Sequence, residues 1–195
     1  MTNNQAITQR DEGLEVARKM AEEEEGVARK PRGPTKWVVP VIGVIWSLFQ
    51  LSIASWLIMD TMFIRAIHLG FALLVVFLNY PMFKKPLLGL KYLAAKDRIP
   101  LLDFAMALIA CFAALYIALD FESMTTRLGQ PITRDVVIGL ALVVFLLEAS
   151  RRVIGPALAV IAGAFIIYSF AGPYMPDLIA FKGTSMNRFV GQMTM

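Results

Sequence analysis

Hydrophobic residues are concentrated in long uncharged segments, which short charged segments separate. An α-helix needs about 20 mostly apolar residues to cross the hydrocarbon core of a bilayer. The pattern predicts an all-α integral membrane protein whose transmembrane helical bundle occupies residues 37–175. The five uncharged segments are 12 to 24 residues long and comprise Trp37–Met59, Ala66–Phe83, Phe104–Leu119, Val136–Leu147 and Val153–Pro176.

The number of spans depends on the last two segments. Val136–Leu147 has only 12 residues, and charged residues within 148–152 separate it from the next uncharged run. One helix across both segments would be far longer than a hydrocarbon core about 30 Å thick. We therefore predict two helices joined by a tight turn near Gly155 and Pro156, the first covering Thr133–Ala149. This gives five transmembrane helices, with four as the alternative.

Composition excludes an ordinary soluble domain, because 57% of the residues are hydrophobic and only 17% are charged. The net charge of +4 does not come from residues 1–36, which contain seven basic and seven acidic side chains. We predict that residues 1–36 form a polar, solvated tail, and we expect no nucleic-acid partner. Cys111, the single cysteine, is predicted to be a small residue of the helical core.

The distribution of Lys and Arg predicts the orientation. With the N-terminus inside, the segments 1–36, 84–98 and 148–152 hold fourteen basic residues, and the opposite side holds five. This positive-inside asymmetry places the N-terminal tail in the cytoplasm and residues 176–195 in a periplasmic tail. In residues 84–98, lysines alternate with leucines, so this segment is either a short interfacial helix or a plain loop.

Few residues could carry chemistry. His68 is the only histidine, so a metal site with two histidines is excluded within this chain. No nucleophile, phosphate-loop or C-x-x-C motif is present. We therefore expect that the chain is not an enzyme and holds no metal or cofactor. For His68 and Glu148, which lie near the predicted helix ends, a structural role is favoured over a functional one.

Small residues at helical spacing predict helix packing. In the first span, Gly43 and Ser47 share a face with Gln50, whose amide can donate a hydrogen bond across a helix contact. In the last span, Gly155, Ala159 and Gly163 are each four residues apart, which permits a close approach of helices. Both faces fit packing within the chain or against a partner.

Charged residues mark the turn between the last two spans. Arg151 and Arg152 are predicted to anchor this turn on the cytoplasmic side. Glu148 is predicted to form an i, i+4 ion pair with Arg152.

Several strings resemble the opening of fused TRAP (tripartite ATP-independent periplasmic) permeases of the TAXI type. The resemblance covers about residues 37–195 and includes strings at 47–51, 67–71, 79–81 and 168–176. Its most specific part is an Arg-x-Gly-x-Pro string followed by Glu-Ala-x-Arg-Arg-x-x-Gly. The residues of these two motifs are Arg127, Gly129, Pro131, Glu148, Ala149, Arg151, Arg152 and Gly155.

The resemblance implies a secondary transporter of the bacterial inner membrane. In such systems a periplasmic binding protein delivers a small organic acid, and a sodium gradient commonly drives uptake. The chain would be the small membrane component, and its periplasmic tail would lead toward a missing or separate large permease subunit or domain. Sodium and substrate sites are expected in that large region, so no site residue is carried over to this chain. The alternative is a membrane assembly or sensor protein unrelated to transport.

The predicted topology can be tested with reporter fusions at residues 90, 127 and 190. We expect cytoplasmic, periplasmic and periplasmic signals, respectively, because the basic residues favour the cytoplasmic side. Paired alkaline phosphatase and fluorescent protein fusions would measure each side independently. A cytoplasmic signal at residue 190 would contradict the five-span topology and support the four-span alternative.

Overall fold

The computed structural model describes residues 13–16, 28–83, 97–120, 123, 126, 132–176 and 181–194. This part of the chain is helical and contains no strand. The predicted interfacial helix at 84–98 lies almost wholly outside the described residues, as do Arg127, Gly129 and Pro131. The helices are α1 (Val38–Ser55), α2 (Thr61–Asn79), α3 (Leu101–Leu119), α4 (Thr133–Val153), α5 (Pro156–Ala171) and α6 (Met186–Thr194).

Local sequence explains where several helices begin. Asp60 caps α2, because its Oδ1 atom accepts a hydrogen bond from the Met62 amide at 2.8 Å. α5 begins at Pro156, whose fixed φ suits the first helical position. Gly155, just before it, has a φ of 114°, a conformation that favours glycine. The chain therefore turns where the sequence predicted, and α4 and α5 are two separate helices.

Three described helices are long and apolar enough to cross a membrane: Gly33–Ser55, Thr61–Asn79 and Pro156–Tyr174. The first comprises α1 and the 3-10 turn that precedes it. α3 has a shorter apolar stretch, Leu101–Tyr116, and α4 carries charged residues near both ends. The membrane-protein class is thus supported, and spanning by α3 and α4 stays a prediction.

The core lies between α2, α3 and α4, and α2 and α3 are in extensive contact. α3 contributes a face of small residues, since Ala107, Ala110 and Ala114 are at most 1% exposed. A methyl group added to Gly70 of α2 would lie 3.3 Å from the Cys111 sulfur. The small side chains let the two backbones approach closely, as is common between membrane helices.

α1 and α5 lie at the edges of this core. α1 contacts α2 partly through Trp46, whose ring stacks on Phe71 with centroids 6.2 Å apart. α5 contacts α4. Neither α1 nor α5 contains a fully buried residue, and many of their apolar side chains are exposed.

The C-terminal segment folds back onto the bundle. The Phe181 amide donates to the Gly172 carbonyl at 3.3 Å, and the Thr184 amide donates to the Ser169 carbonyl at 3.0 Å. α6 then packs against α4 and buries Phe189. The described part of residues 176–195 therefore belongs to the helical body, and its periplasmic location stays a prediction.

The close contact at Gly70 predicts a difference between two glycine substitutions. Gly70→Leu should lower the free energy of unfolding by about 1–3 kcal/mol, because the new side chain overpacks the contact with Cys111. Gly163→Leu is the matched control, since an added methyl group there meets no described atom within 4 Å. Thermal unfolding of the purified chains in detergent measures both. Equal melting temperatures would contradict the close contact between α2 and α3.

Candidate functional site: a buried arginine and carboxylate network

The C-terminal end of α2 is capped from outside its own helix. The last carbonyls of a helix have no partner within that helix. The Nη1 atom of Arg29 donates to the carbonyls of Phe77 and Leu78, each at 3.2 Å. The backbone amide of Arg29 donates to the Asn79 carbonyl at 2.7 Å. One arginine therefore satisfies three carbonyls at the end of α2.

Two arginines of α4 continue this pattern along the chain. Arg152 Nη1 donates to the Tyr80 carbonyl at 3.2 Å, and Arg151 Nη2 donates to the Met82 carbonyl at 2.8 Å. The backbone that leaves α2 is thus held by donors from both the N-terminal segment and α4.

Asp103, in the first turn of α3, lies between two of these arginines. One carboxylate oxygen accepts from Arg29, and the other accepts from Arg152 Nη1 at 2.8 Å. All three side chains are 0% exposed. The N-terminal position in α3 also favours a negative charge, because the helix dipole is positive there. Asp103 therefore joins the N-terminal segment, α3 and α4.

Glu148 extends the network along α4. Its Oε1 atom accepts from Arg152 Nε at 2.8 Å, so the ion pair predicted between these residues is present. Arg151 binds the same carboxylate through two nitrogen atoms, each at 2.7 Å. Such bidentate pairs are stronger than single hydrogen bonds and fix the geometry of both side chains.

Two aromatic rings lie beside arginines of the network. The Arg152 guanidinium lies over the Phe77 ring at 4.7 Å, and the Arg151 guanidinium lies 5.9 Å from the centre of the Phe83 ring. Burial lowers the pKa of the Arg29 guanidinium from its ordinary value, and the hydrogen bond to Asp103 opposes that effect. The arrangement is suited to holding charged groups in place.

A second polar cluster joins the C-terminal end of α3 to the N-terminal end of α4. Tyr116 donates from its hydroxyl to Asp135 Oδ1 at 2.7 Å. Arg134 pairs with Asp120 at 2.9 Å and lies over the Tyr116 ring. The two polar clusters therefore connect α3 to α4 near both ends of α3.

Gln50 forms a hydrogen bond with the imidazole of His68, which links α1 to α2. Trp46 packs edge-on against the same imidazole, with ring centroids 4.9 Å apart. A methyl group added to Gly43 meets no described atom within 4 Å, and Ser47 is exposed. The described residues thus provide a partner for Gln50, whereas packing at Gly43 and Ser47 stays a prediction.

The three small residues predicted to form a packing face have different surroundings. Gly155 forms the turn between α4 and α5. A methyl group added at Gly163 has no described neighbour within 4 Å, and Ala159 is partly exposed. In the described part of the chain, nothing packs closely against Gly163, so association with another molecule there stays a prediction.

Sequence reasoning missed two members of the network. Arg29 was assigned to the solvated tail, but it is 4% exposed and hydrogen-bonded to α2. The folded part therefore includes Arg29, which lies before the boundary predicted at residue 36. The sequence analysis did not single out Asp103; its signal is an acid directly before a long uncharged run, where a buried carboxylate needs a partner.

Within the described ranges, no group of three or more His, Cys, Asp or Glu side chains is placed to hold a metal ion. No family model matches the sequence, and neither the curated proteins nor the solved structures give a match. The likeness to TRAP permeases therefore remains a resemblance of short strings.

The network predicts a strong effect of neutralising Asp103. Asp103→Asn should lower the free energy of unfolding by about 3–5 kcal/mol, because Arg29 and Arg152 stay buried without their shared counter-charge. Asp60→Asn is the control, since asparagine caps a helix about as well as aspartate. Thermal unfolding in detergent measures both variants. If Asp103→Asn melted together with Asp60→Asn, the network would not stabilise the bundle.

Proposed function

We propose that the chain is the small membrane component of a sodium-coupled secondary transporter for small organic acids. In this proposal it is a scaffold for a large TRAP-type transport subunit in the bacterial inner membrane. The observation that carries the proposal is a contrast between two parts of the bundle. Ion pairs and hydrogen bonds of charged side chains hold the core helices together, whereas two apolar helices at its edge are largely exposed. α2, α3 and α4 share the buried network, whereas α1 and α5 bury none of their residues.

The locked core supports a scaffold role. Transporters that work by alternating access move one structural unit against another around a central site. A component that holds such a unit in place benefits from helices that keep their relative positions. Asp103 ties α3 to α4 through Arg152, and Arg152 also bonds the backbone at the end of α2.

The exposed face of α5 is consistent with a partner helix that packs against it. Val160, Phe165 and Ile167 are each 67% exposed or more, so α5 offers apolar side chains to lipid or protein. Gly163 and Ala159 add a face on which a second helix can approach closely. A large permease subunit is the partner we propose for this face.

The proposed topology has five spans with the N-terminus in the cytoplasm. The network lies where α2 ends, α3 begins and α4 ends. With the N-terminus inside, this end faces the cytoplasm, which agrees with its three arginines and the positive-inside rule. The proposed partners are the large subunit, a periplasmic binding protein and the bilayer. Catalysis and nucleic-acid binding are not part of the proposal.

The second candidate is an assembly or sensor protein unrelated to transport. The contact of Arg29 with the bundle favours it, because this contact connects the N-terminal segment directly to α2 and α3. Only the transport proposal predicts that the chain supports uptake by a large subunit. Measurement of transport therefore separates the two candidates.

Reconstitution tests the transport proposal. The chain alone in liposomes should show no sodium-driven carboxylate uptake, and adding the large subunit and the binding protein should restore uptake. Gly163→Leu should reduce co-purification with the large subunit severalfold, because its side chain separates the helices. Ala157→Leu is the control, since 3.6 residues per turn place Ala157 about 120° around α5 from Gly163.

Uptake by the chain alone would contradict the scaffold role. Equal co-purification of the Gly163→Leu and Ala157→Leu variants would show that the large subunit does not use this face.

A further inference from the structure

We propose that the hydrogen-bonded pair of Gln50 and His68 is a docking site for a second copy of this chain. Two copies then associate within the bilayer, and each copy presents its pair to the pair of the other. This association is not part of the transport proposal and does not depend on it.

The bond between Gln50 and His68 leaves one donor and one acceptor open. The nitrogen of a glutamine amide can only donate, so Nδ1 of His68 accepts and the neutral imidazole carries its proton on Nε2. In the part of the chain that the structure describes, neither His68 Nε2 nor Gln50 Oε1 has a hydrogen-bond partner. His68 is exposed, and Trp46 packs edge-on against its ring. The open N–H group is therefore held at the surface of the bundle.

The pair lies in apolar helices and away from their ends. At 1.5 Å per residue, His68 is about 10 Å from the start of α2, and Gln50 is about 8 Å from the end of α1. Both helices are long and apolar enough to cross a membrane. Lipid chains offer no hydrogen-bond donor or acceptor, and polar side chains in membrane helices bond across helix contacts. An open donor beside an open acceptor at this depth favours a protein partner.

A second copy supplies the complementary groups. A two-fold axis along the membrane normal places equivalent residues at equal depth, and Gln50 and His68 share one depth because they are bonded to each other. His68 Nε2 of each copy can then donate to Gln50 Oε1 of the other copy. These two reciprocal bonds, together with the bond within each copy, close a ring of four side chains. Each copy thus provides the donor and the acceptor that the other lacks.

The surroundings of the pair permit the approach of another helix. Ser47, one turn before Gln50 on α1, is exposed, and Leu51 is 63% exposed. A small side chain and an apolar one therefore lie beside the pair. Arg65 is exposed one turn nearer the start of α2 than His68 is, and its long side chain can reach the lipid headgroups. Its charge therefore does not have to lie between the copies.

The test is self-association of the purified chain in liposomes, measured by energy transfer between copies labelled at the N-terminus as the ratio of protein to lipid is varied. We expect the wild-type chain to dimerise in a saturable manner. Gln50→Leu and His68→Phe should each weaken the dimer about tenfold, because a symmetric dimer loses both reciprocal bonds. Gln50→His combined with His68→Gln keeps one imidazole and one amide in the pair, so this double variant should recover much of the association.

Ser169→Ala is the matched control. It removes a polar group from α5, the other exposed apolar helix, where the Ser169 hydroxyl already donates to the Phe165 carbonyl of its own helix. We expect this variant to associate like the wild-type chain. Melting temperatures in detergent show which variants are folded.

Crosslinking tests the same surface with the pair unchanged, so it decides the question if the Gln50 and His68 variants do not fold. In a Cys111→Ala background, Ser47→Cys should give a covalent dimer with a short bismaleimide. Val160→Cys, at a position of α5 that is 67% exposed, should give little. A wild-type monomer at all ratios, equal association of the wild-type chain and folded Gln50→Leu, or equal crosslinking at the two positions would overturn the proposal.

Discussion

The backbone at the end of α2 sets the main constraint on this structure. The last carbonyls of α2 have no amide donor within the helix. An unpaired carbonyl in an apolar environment costs free energy. The structure supplies donors from Arg29, Arg151 and Arg152. The Arg29 and Arg152 side chains are buried in turn, so they need carboxylates, which Asp103 and Glu148 provide. The requirement of one helix end thus connects four parts of the chain.

Such a network contributes specificity as well as free energy. A buried ion pair often stabilises a fold no more than well-packed apolar residues would, because both charges lose their hydration. Its geometric demands are stricter, however, since each guanidinium must meet its acceptors in a defined orientation. Small side chains along α3 give close but adaptable packing against α2, and Asp103 fixes which part of α3 lies beside the end of α2. Packing and charge pairing therefore play complementary roles.

The helices could be predicted from the sequence because uncharged runs and breaker residues mark them locally. Gly155 and Pro156 predicted the turn between α4 and α5. The i, i+4 spacing of Glu148 and Arg152 predicted their ion pair. Arg29 could not be found in this way. It is one of seven basic residues in the N-terminal segment, and nothing in the local sequence shows which of them contacts the helices. The contact of Gly70 with Cys111 was missed for a similar reason. A single glycine lacks a repeat, and its importance depends on which helix lies opposite.

The separation of the network's members along the chain has a consequence for biosynthesis. Arg29 and Asp103 are 74 positions apart, and Asp103 and Arg152 are a further 49 apart. A nascent chain therefore exposes α2 and Asp103 well before Arg152 has been translated. Until then, the Tyr80 carbonyl and one oxygen of Asp103 lack the Arg152 donor that they have in the folded chain. Arg152 supplies both hydrogen bonds, so this end of the bundle is completed only when α4 has joined it.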